Sequence, residues 1–129
     1  MRLTASTTSL LDGQMTSDLA KLYSAEFLEQ AEQQIATGDT QWVLAKFNGR
    51  YIGAGLFNIQ AKQLSALTVR DVTRRRGVGR LLVEYCRQQI QQNANDAKLE
   101  LHWPAVEAEV TAFSEAVGGE AKDEGIWVV

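Results

Sequence analysis

The chain predicts an α/β fold with a mixed central sheet flanked by helices, and three observations carry that prediction. Short apolar runs rich in β-branched residues alternate with stretches whose apolar residues recur every three or four positions. Asn48-Gly49 separates two of the apolar runs and predicts a two-residue hairpin. The segment Leu64 to Gln92 passes from a strand, across a turn of arginine and glycine, into an amphipathic helix that packs on the sheet its strand belongs to. At 129 residues the chain has room for one core and not for two, so a single domain over 1–129 is expected.

Leu3 to Thr8 is a short, threonine-rich strand. Asp12-Gly13 marks a turn, and Thr16 or Ser17 can cap the helix that follows. Over 17–37 the residues Leu19, Leu22, Tyr23, Phe27, Leu28, Ala31 and Ile35 predict one or two helices, ended by Thr37-Gly38-Asp39. Gln41 to Phe47 and Arg50 to Gln60 are the hairpin strands, and Leu64 to Val72 completes an antiparallel meander. The next helix places Val78, Leu81, Leu82, Tyr85, Cys86 and Ile90 on one face. Lys98 to His102 is a strand closed by Trp103-Pro104. Residues 105–117 form a helix with Val106, Val110, Phe113 and Val117 on one side, stopped by Gly118-Gly119. Gly125 to Val129 is the last strand, giving the order β-α-α-β-β-β-α-β-α-β.

Charge is unevenly placed. Residues 1–94 hold 11 basic and 8 acidic side chains, residues 95–129 hold 2 and 8, and the net charge is −3. The positive charge is local to one turn, which argues for a compact anionic ligand and against general nucleic-acid binding. A single cysteine excludes an intramolecular disulfide, and no apolar run approaches membrane-spanning length. The start, MRLTASTTSLLDG, lacks the apolar centre of a signal peptide, so a cytoplasmic protein is expected; separately, a monomer is expected when the protein is free.

The turn is Thr73-Arg74-Arg75-Arg76-Gly77-Val78-Gly79-Arg80. The first turn of a helix carries backbone N–H groups without intrahelical partners and a partial positive charge. Glycines at 77 and 79 let a pyrophosphate approach that backbone, and the arginines add charge. Four arginines in eight residues repel one another until an anion arrives. The pattern lacks the third glycine of the dinucleotide fingerprint and the Gly-Lys-Ser/Thr of a Walker loop.

Arg74-x-x-Gly77-x-Gly79, set between strand and helix, resembles the acyl-CoA signature of the GNAT acetyltransferase superfamily. A narrower resemblance is to the GNAT-like PanZ/PanM family of aspartate 1-decarboxylase maturation factors. LTVRDVTRRRGVGRLLVEYC (Leu67 to Cys86) carries it most strongly, with AKFNGRYIGA (Ala45 to Ala54), VEAEVTAFSEAVGG (Val106 to Gly119) and Trp127 at matching spacing. The first 40 residues match that family only in length and general pattern.

The resemblance implies acetyl-CoA (or CoA) as ligand and the aspartate 1-decarboxylase proenzyme, PanD, as partner. The family promotes the self-cleavage at a Gly-Ser bond that creates the pyruvoyl group, and so ties β-alanine and pantothenate supply to CoA status. Carried over by position, Leu67, Thr68 and Val69 would pair with the pantetheine amides, and Thr73, Arg74, Arg75, Arg76, Gly77, Val78, Gly79 and Arg80 would hold the pyrophosphate. Where many acetyltransferases have a tyrosine acid this chain has Ser114, a poor acid toward a thiolate, so binding without turnover is expected. The alternative is an active N-acetyltransferase for a small amine or a protein N-terminus. Asn48 at the hairpin and Arg70 before the turn are candidates to face the partner; Asn48 equally suits the positive φ of its turn.

Other reactive side chains have plainer readings. Cys86 falls on the apolar face of its helix and reads as buried structure, and His102 closes a strand. Glu107 and Glu109 stand two apart, on different sides of a helix. Asp71 is an ion-pair partner for Arg70 or Arg74, and Tyr85 is core with its hydroxyl at the edge. Trp42 and Trp103 suit either the core or the flank of a ligand.

Overall fold

The computed structural model describes residues 3–70, 77–92, 94, 96–104 and 107–129. Asp71, Val72, Thr73, Arg74, Arg75, Arg76, Ala105 and Val106, named above, lie outside them. The hairpin forms as expected, β2 (Thr40–Phe47) and β3 (Arg50–Asn58) joined by Asn48 and Gly49 at φ of 54° and 76°. Those are the two left-handed residues that a tight hairpin turn needs. Both strands are buried on both faces, which is why they read as continuous apolar runs rather than alternation.

Among the described residues the sheet has seven strands in the order β1-β2-β3-β4-β5-β7-β6. The others are β1 (Thr4–Thr8), β4 (Gln63–Val69), β5 (Glu100–His102), β6 (Glu120–Asp123) and β7 (Ile126–Val128). Every pairing is antiparallel except β4 with β5, so the sheet is mixed. Strand β6 was not expected. Its residues Glu120 to Asp123 are all exposed at the sheet edge, so it carries no apolar period to read.

The helices divide between the two faces. Helix α1 (Gly13–Leu19) and α2 (Ala25–Ala36) cover one face, where Leu19 and Ala31 pack with Trp42, Leu44, Tyr51, Ala54 and Leu56. Helix α3 (Val78–Gln91) covers the other, burying Val78, Leu82, Val83, Cys86 and Ile90 against Val43, Ala45, Ile52 and Leu64. Burying that many large side chains on each face, at about 1.5–3 kcal/mol apiece, is what holds the layers together. Leu81 and Tyr85, expected on the buried stripe, are only partly covered, and Val83 takes their place in the core.

Two local expectations are corrected. The helix caps are Asp12, whose carboxylate accepts from Met15 N at 2.8 Å, and Ser24, whose hydroxyl accepts from Phe27 N at 3.1 Å. Thr16 is already helical and donates its hydroxyl to the Asp12 carbonyl, so neither it nor Ser17 starts α1. Helix α4 (Ala108–Ala116) is shorter than expected. It ends where foreseen: Gly118, at φ +86°, and Gly119 close it by donating to Glu115 O at 3.0 Å and Ser114 O at 2.8 Å.

Candidate functional site

Strand β4 parts from β5 halfway along. The parallel pairing runs Gln63–Glu100, Leu64–Leu101 and Ser65–His102 and stops there, while β4 continues to Val69 with β3 as its one strand neighbour among the described residues. Among the described residues no strand lies along the other edge of Ala66 to Val69. Leu67, Thr68 and Val69, the residues expected to meet pantetheine, sit on this edge. Leu67 and Val69 pack toward α3.

The parting coincides with a bulge. The register of β3 with β4 jumps from Ala54–Thr68 to Leu56–Ser65, and Ala66 has a φ of 55°. The Ala66 carbonyl accepts from the Tyr23 hydroxyl at 2.6 Å and the Thr68 hydroxyl at 3.1 Å. Burial pushes the Tyr23 phenol well above its ordinary pKa, against the smaller, lowering effect of a side-chain hydrogen bond between Tyr23 and Thr68.

Helix α3 begins next to this edge. Gly77 is its N-cap, left-handed at φ +75°, and it makes no side-chain cap, so the first-turn N–H groups are not taken up that way. A Cβ on Gly77 would meet nothing within 4 Å. Val78 is fully buried, its Cγ1 lying 2.7 Å from where a Cβ on Gly53 would stand; it plugs the helix onto β3. Gly79 differs from expectation in its reason for being glycine. A Cβ there would fall 2.9 Å from Phe113 Cε1, so the missing side chain admits α4. Arg80 donates from its guanidinium to the Ala116 carbonyl at 2.8 Å, bracing the end of α4 with one of its five N–H groups.

The plainer readings of Cys86 and His102 hold. Cys86 is fully buried, which drives its thiol pKa far up and keeps it un-ionised. His102 ends β5, with Nε2 3.0 Å from Glu100 Oε1, and Lys122 Nζ lies 2.6 Å from Glu100 Oε2. Those bonds from Lys122 and His102 hold the Glu100 carboxyl below its ordinary pKa. Ser114 is fully buried and its hydroxyl finds no partner among the described residues. The two tryptophans separate: Trp42 is core at 1% exposure, whereas Trp103 meets Phe113 edge-on at 6.0 Å, on the wall over Gly79. No cluster of metal-ligating side chains occurs among the described residues.

Residues 2–127 match the family described as "Acetyltransferase (GNAT) domain, PanZ". The chain belongs to the PanZ family. It is 32% identical over 130 residues to the PanD regulatory factor of Salmonella typhimurium, covering 97% of each sequence. Among solved structures, the coenzyme A-bound solution structure of YhhK from E. coli matches with a TM-score of 0.73 and 28% identity over 98% of both chains. A ribosomal-protein-alanine N-acetyltransferase from Brucella melitensis matches with a TM-score of 0.72 over 95% of this chain and 96% of its own, at 18% identity, which concerns the fold alone.

A PanZ-family fold also places together residues that the sequence left unremarked. Asp18 is 2% exposed, and its Oδ2 accepts from Tyr51 N and Gln14 Nε2, both at 2.9 Å. Burial alone would raise its carboxyl pKa, but these bonds, with Lys21 and Arg50 nearby, hold it below the ordinary value. Asp18 thereby ties α1 to the base of the Asn48-Gly49 hairpin. Tyr23 and Ala66 are the other pair missed. A polar residue inside an apolar helical stripe was the available signal for Asp18; nothing local announces a bond spanning 43 residues.

Proposed function

We propose that this protein binds acetyl-CoA along the open β4 edge and the start of α3, and that the loaded form associates with the aspartate 1-decarboxylase proenzyme and promotes its self-cleavage to the pyruvoyl form. The observation that carries the ligand half is the juxtaposition of the β4 edge that β5 leaves after the Ser65–His102 pair with a helix N-terminus that has a left-handed glycine and no side-chain cap. The donor set fits the group: peptide N–H and C=O for pantetheine amides, and first-turn N–H groups with the arginines of 73–80 for the pyrophosphate. The thioester acts as a signal. Ser114 is sealed inside α4, which supports binding without transfer.

The partner half rests on family membership and on the likeness to the PanD regulatory factor. The candidate contact residues suit it by position. Asn48 is exposed at the hairpin tip, and Arg70 N donates to Ile52 O at 2.9 Å, so hairpin and ligand turn share one end of the sheet. A ligand at that end favours partner binding only if the bound surface differs in affinity for the proenzyme.

The test pairs calorimetry with acetyl-CoA, a proenzyme cleavage assay with and without acetyl-CoA, and thiol release across an amine panel. Acetyl-CoA should bind and accelerate cleavage in the presence of this protein, with negligible thiol release. Asn48→Ala should keep ligand affinity and lose the acceleration. Robust acetyl transfer to a physiological amine would replace this reading with an N-acetyltransferase.

A further inference from the structure

We propose that Tyr23 is a positioning residue of the acyl-CoA site, its hydroxyl holding the β4 bulge in the shape that presents the Leu67–Val69 edge; this rests on the ligand reading above. Asn48, Lys62 and Ala66 are the described non-glycine residues with positive φ, and Ala66 is the one inside a strand. Alanine has no side-chain polar group to ease that conformation, so the surroundings must impose it. Opposite the bulge stands Gly55, where a Cβ would lie 2.8 Å from Leu64 Cδ1 and 3.3 Å from Ser65 O. That glycine admits the bulge sterically but does not hold it.

Two donors converge on the Ala66 carbonyl, and they are unequal. Thr68 lies two residues along the same strand and moves with it. Tyr23 reaches in from the link between α1 and α2, and its bond is the shorter, 2.6 Å against 3.1 Å. Its ring is fixed by a stack on Phe27 at 4.8 Å and a tilted contact with Trp42 at 5.5 Å. The hydroxyl therefore arrives at one place, as an anchored clamp does.

The place matters because the bulge begins where β5 ends its pairing, Ser65–His102 being the last pair. An extra residue in one strand decides which face the following side chains take, and removing it exchanges the faces. With the bulge, Leu67 and Val69 turn into the α3 side and Ala66 to the α1–α2 side. Without it the pantetheine edge would present the wrong groups, while the start of α3 would keep its own anchors, Val78 and Leu82 against β3 and Gly79 against Phe113. Tyr23 thus acts on one half of the ligand.

Calorimetry on the full chain with two probes tests this: acetyl-CoA, and 3′-phosphoadenosine 5′-diphosphate, which is the CoA nucleotide without pantetheine. Tyr23→Phe should weaken acetyl-CoA about five- to tenfold and leave the nucleotide within about twofold. Adding Ala66→Gly should restore most of the loss, because glycine takes the left-handed conformation unaided. Unchanged acetyl-CoA affinity in Tyr23→Phe, equal weakening of both probes, or no recovery in the double variant would each overturn the proposal. Should Tyr23→Phe alone fail to fold, the double variant decides: folding with near-wild-type acetyl-CoA affinity supports the clamp, and selective loss of acetyl-CoA overturns it. Absence of acetyl-CoA binding in the wild-type chain removes the ligand reading as well, whereas wild-type binding that survives Tyr23→Phe removes the clamp alone.

Discussion

Two glycine turns lie at the same end of the sheet, Asn48-Gly49 and Gly77-Val78-Gly79, and they use glycine differently. In the hairpin, and again at Gly77, the demand is conformational: φ is +76° and +75°, and an added Cβ would meet nothing within 4 Å. At Gly79 the backbone is helical and the demand is space, since Phe113 occupies the volume a side chain would need. The bracing differs too. The hairpin is held from behind by the Asp18 carboxylate on Tyr51 N, the helix start by Val78 in the core and by α4 through Phe113 and Arg80. A Gly-x-Gly motif can therefore combine a residue open to a ligand with one committed to packing.

The largest effect should come from Gly79→Val. Forcing a branched side chain against Phe113 costs about 2–3 kcal/mol, read as a lower urea midpoint, and acetyl-CoA affinity should fall because α4 is displaced. Wild-type stability in that variant would break the contrast between the two glycines. Asp18→Ala should cost about 2 kcal/mol, mostly by stranding the buried Tyr51 N–H; Lys21 and Arg50, at 3.8 and 3.9 Å and largely exposed, add little. Because the folded Asp18 carboxyl lies below its ordinary value, its contribution is present above the unfolded value near 4 and is lost as pH falls through the folded one. The gap between wild type and Asp18→Ala should accordingly narrow below about pH 4 in acid titrations of stability. The smallest change in stability belongs to Gly77→Ala, about 1 kcal/mol for the left-handed φ. Its loss of acetyl-CoA affinity should exceed its loss of stability, and the reverse order would return Gly77 to a purely structural role.

Local chemistry made much of this legible. Asn-Gly between apolar runs announced the hairpin, and the three- and four-residue spacing from Val78 to Ile90 announced α3. What stayed hidden was non-local or unpatterned. Strand β6 has no buried residue, so no period marks it. The parting of β4 from β5 is a missing pairing between segments more than thirty residues apart, which no window of sequence reports. At the site, Leu67 to Val69 were named through the family resemblance, whereas Gly77 at the start of a helix followed from the strand-turn-helix reading. The partner of Gly79 did not, because Phe113 arrives from another helix. Tyr23 read as one more apolar helical residue, since its function depends on where its hydroxyl ends, 43 residues away.

The three-residue pairing of β4 with β5 has a consequence for cooperativity. Among the described residues it is the only ladder between a four-stranded block, β1 to β4, and a three-stranded one, β5, β7 and β6. Side chains still bridge the blocks, since Leu101, Trp127 and Val129 share a cluster with Leu64 and Val43. Backbone continuity between the two blocks is nonetheless only three residue pairs long, and it ends where the rest of the β4 edge begins. A sheet built this way has a seam, along which the smaller block can loosen as a unit while the larger keeps its hydrogen bonds.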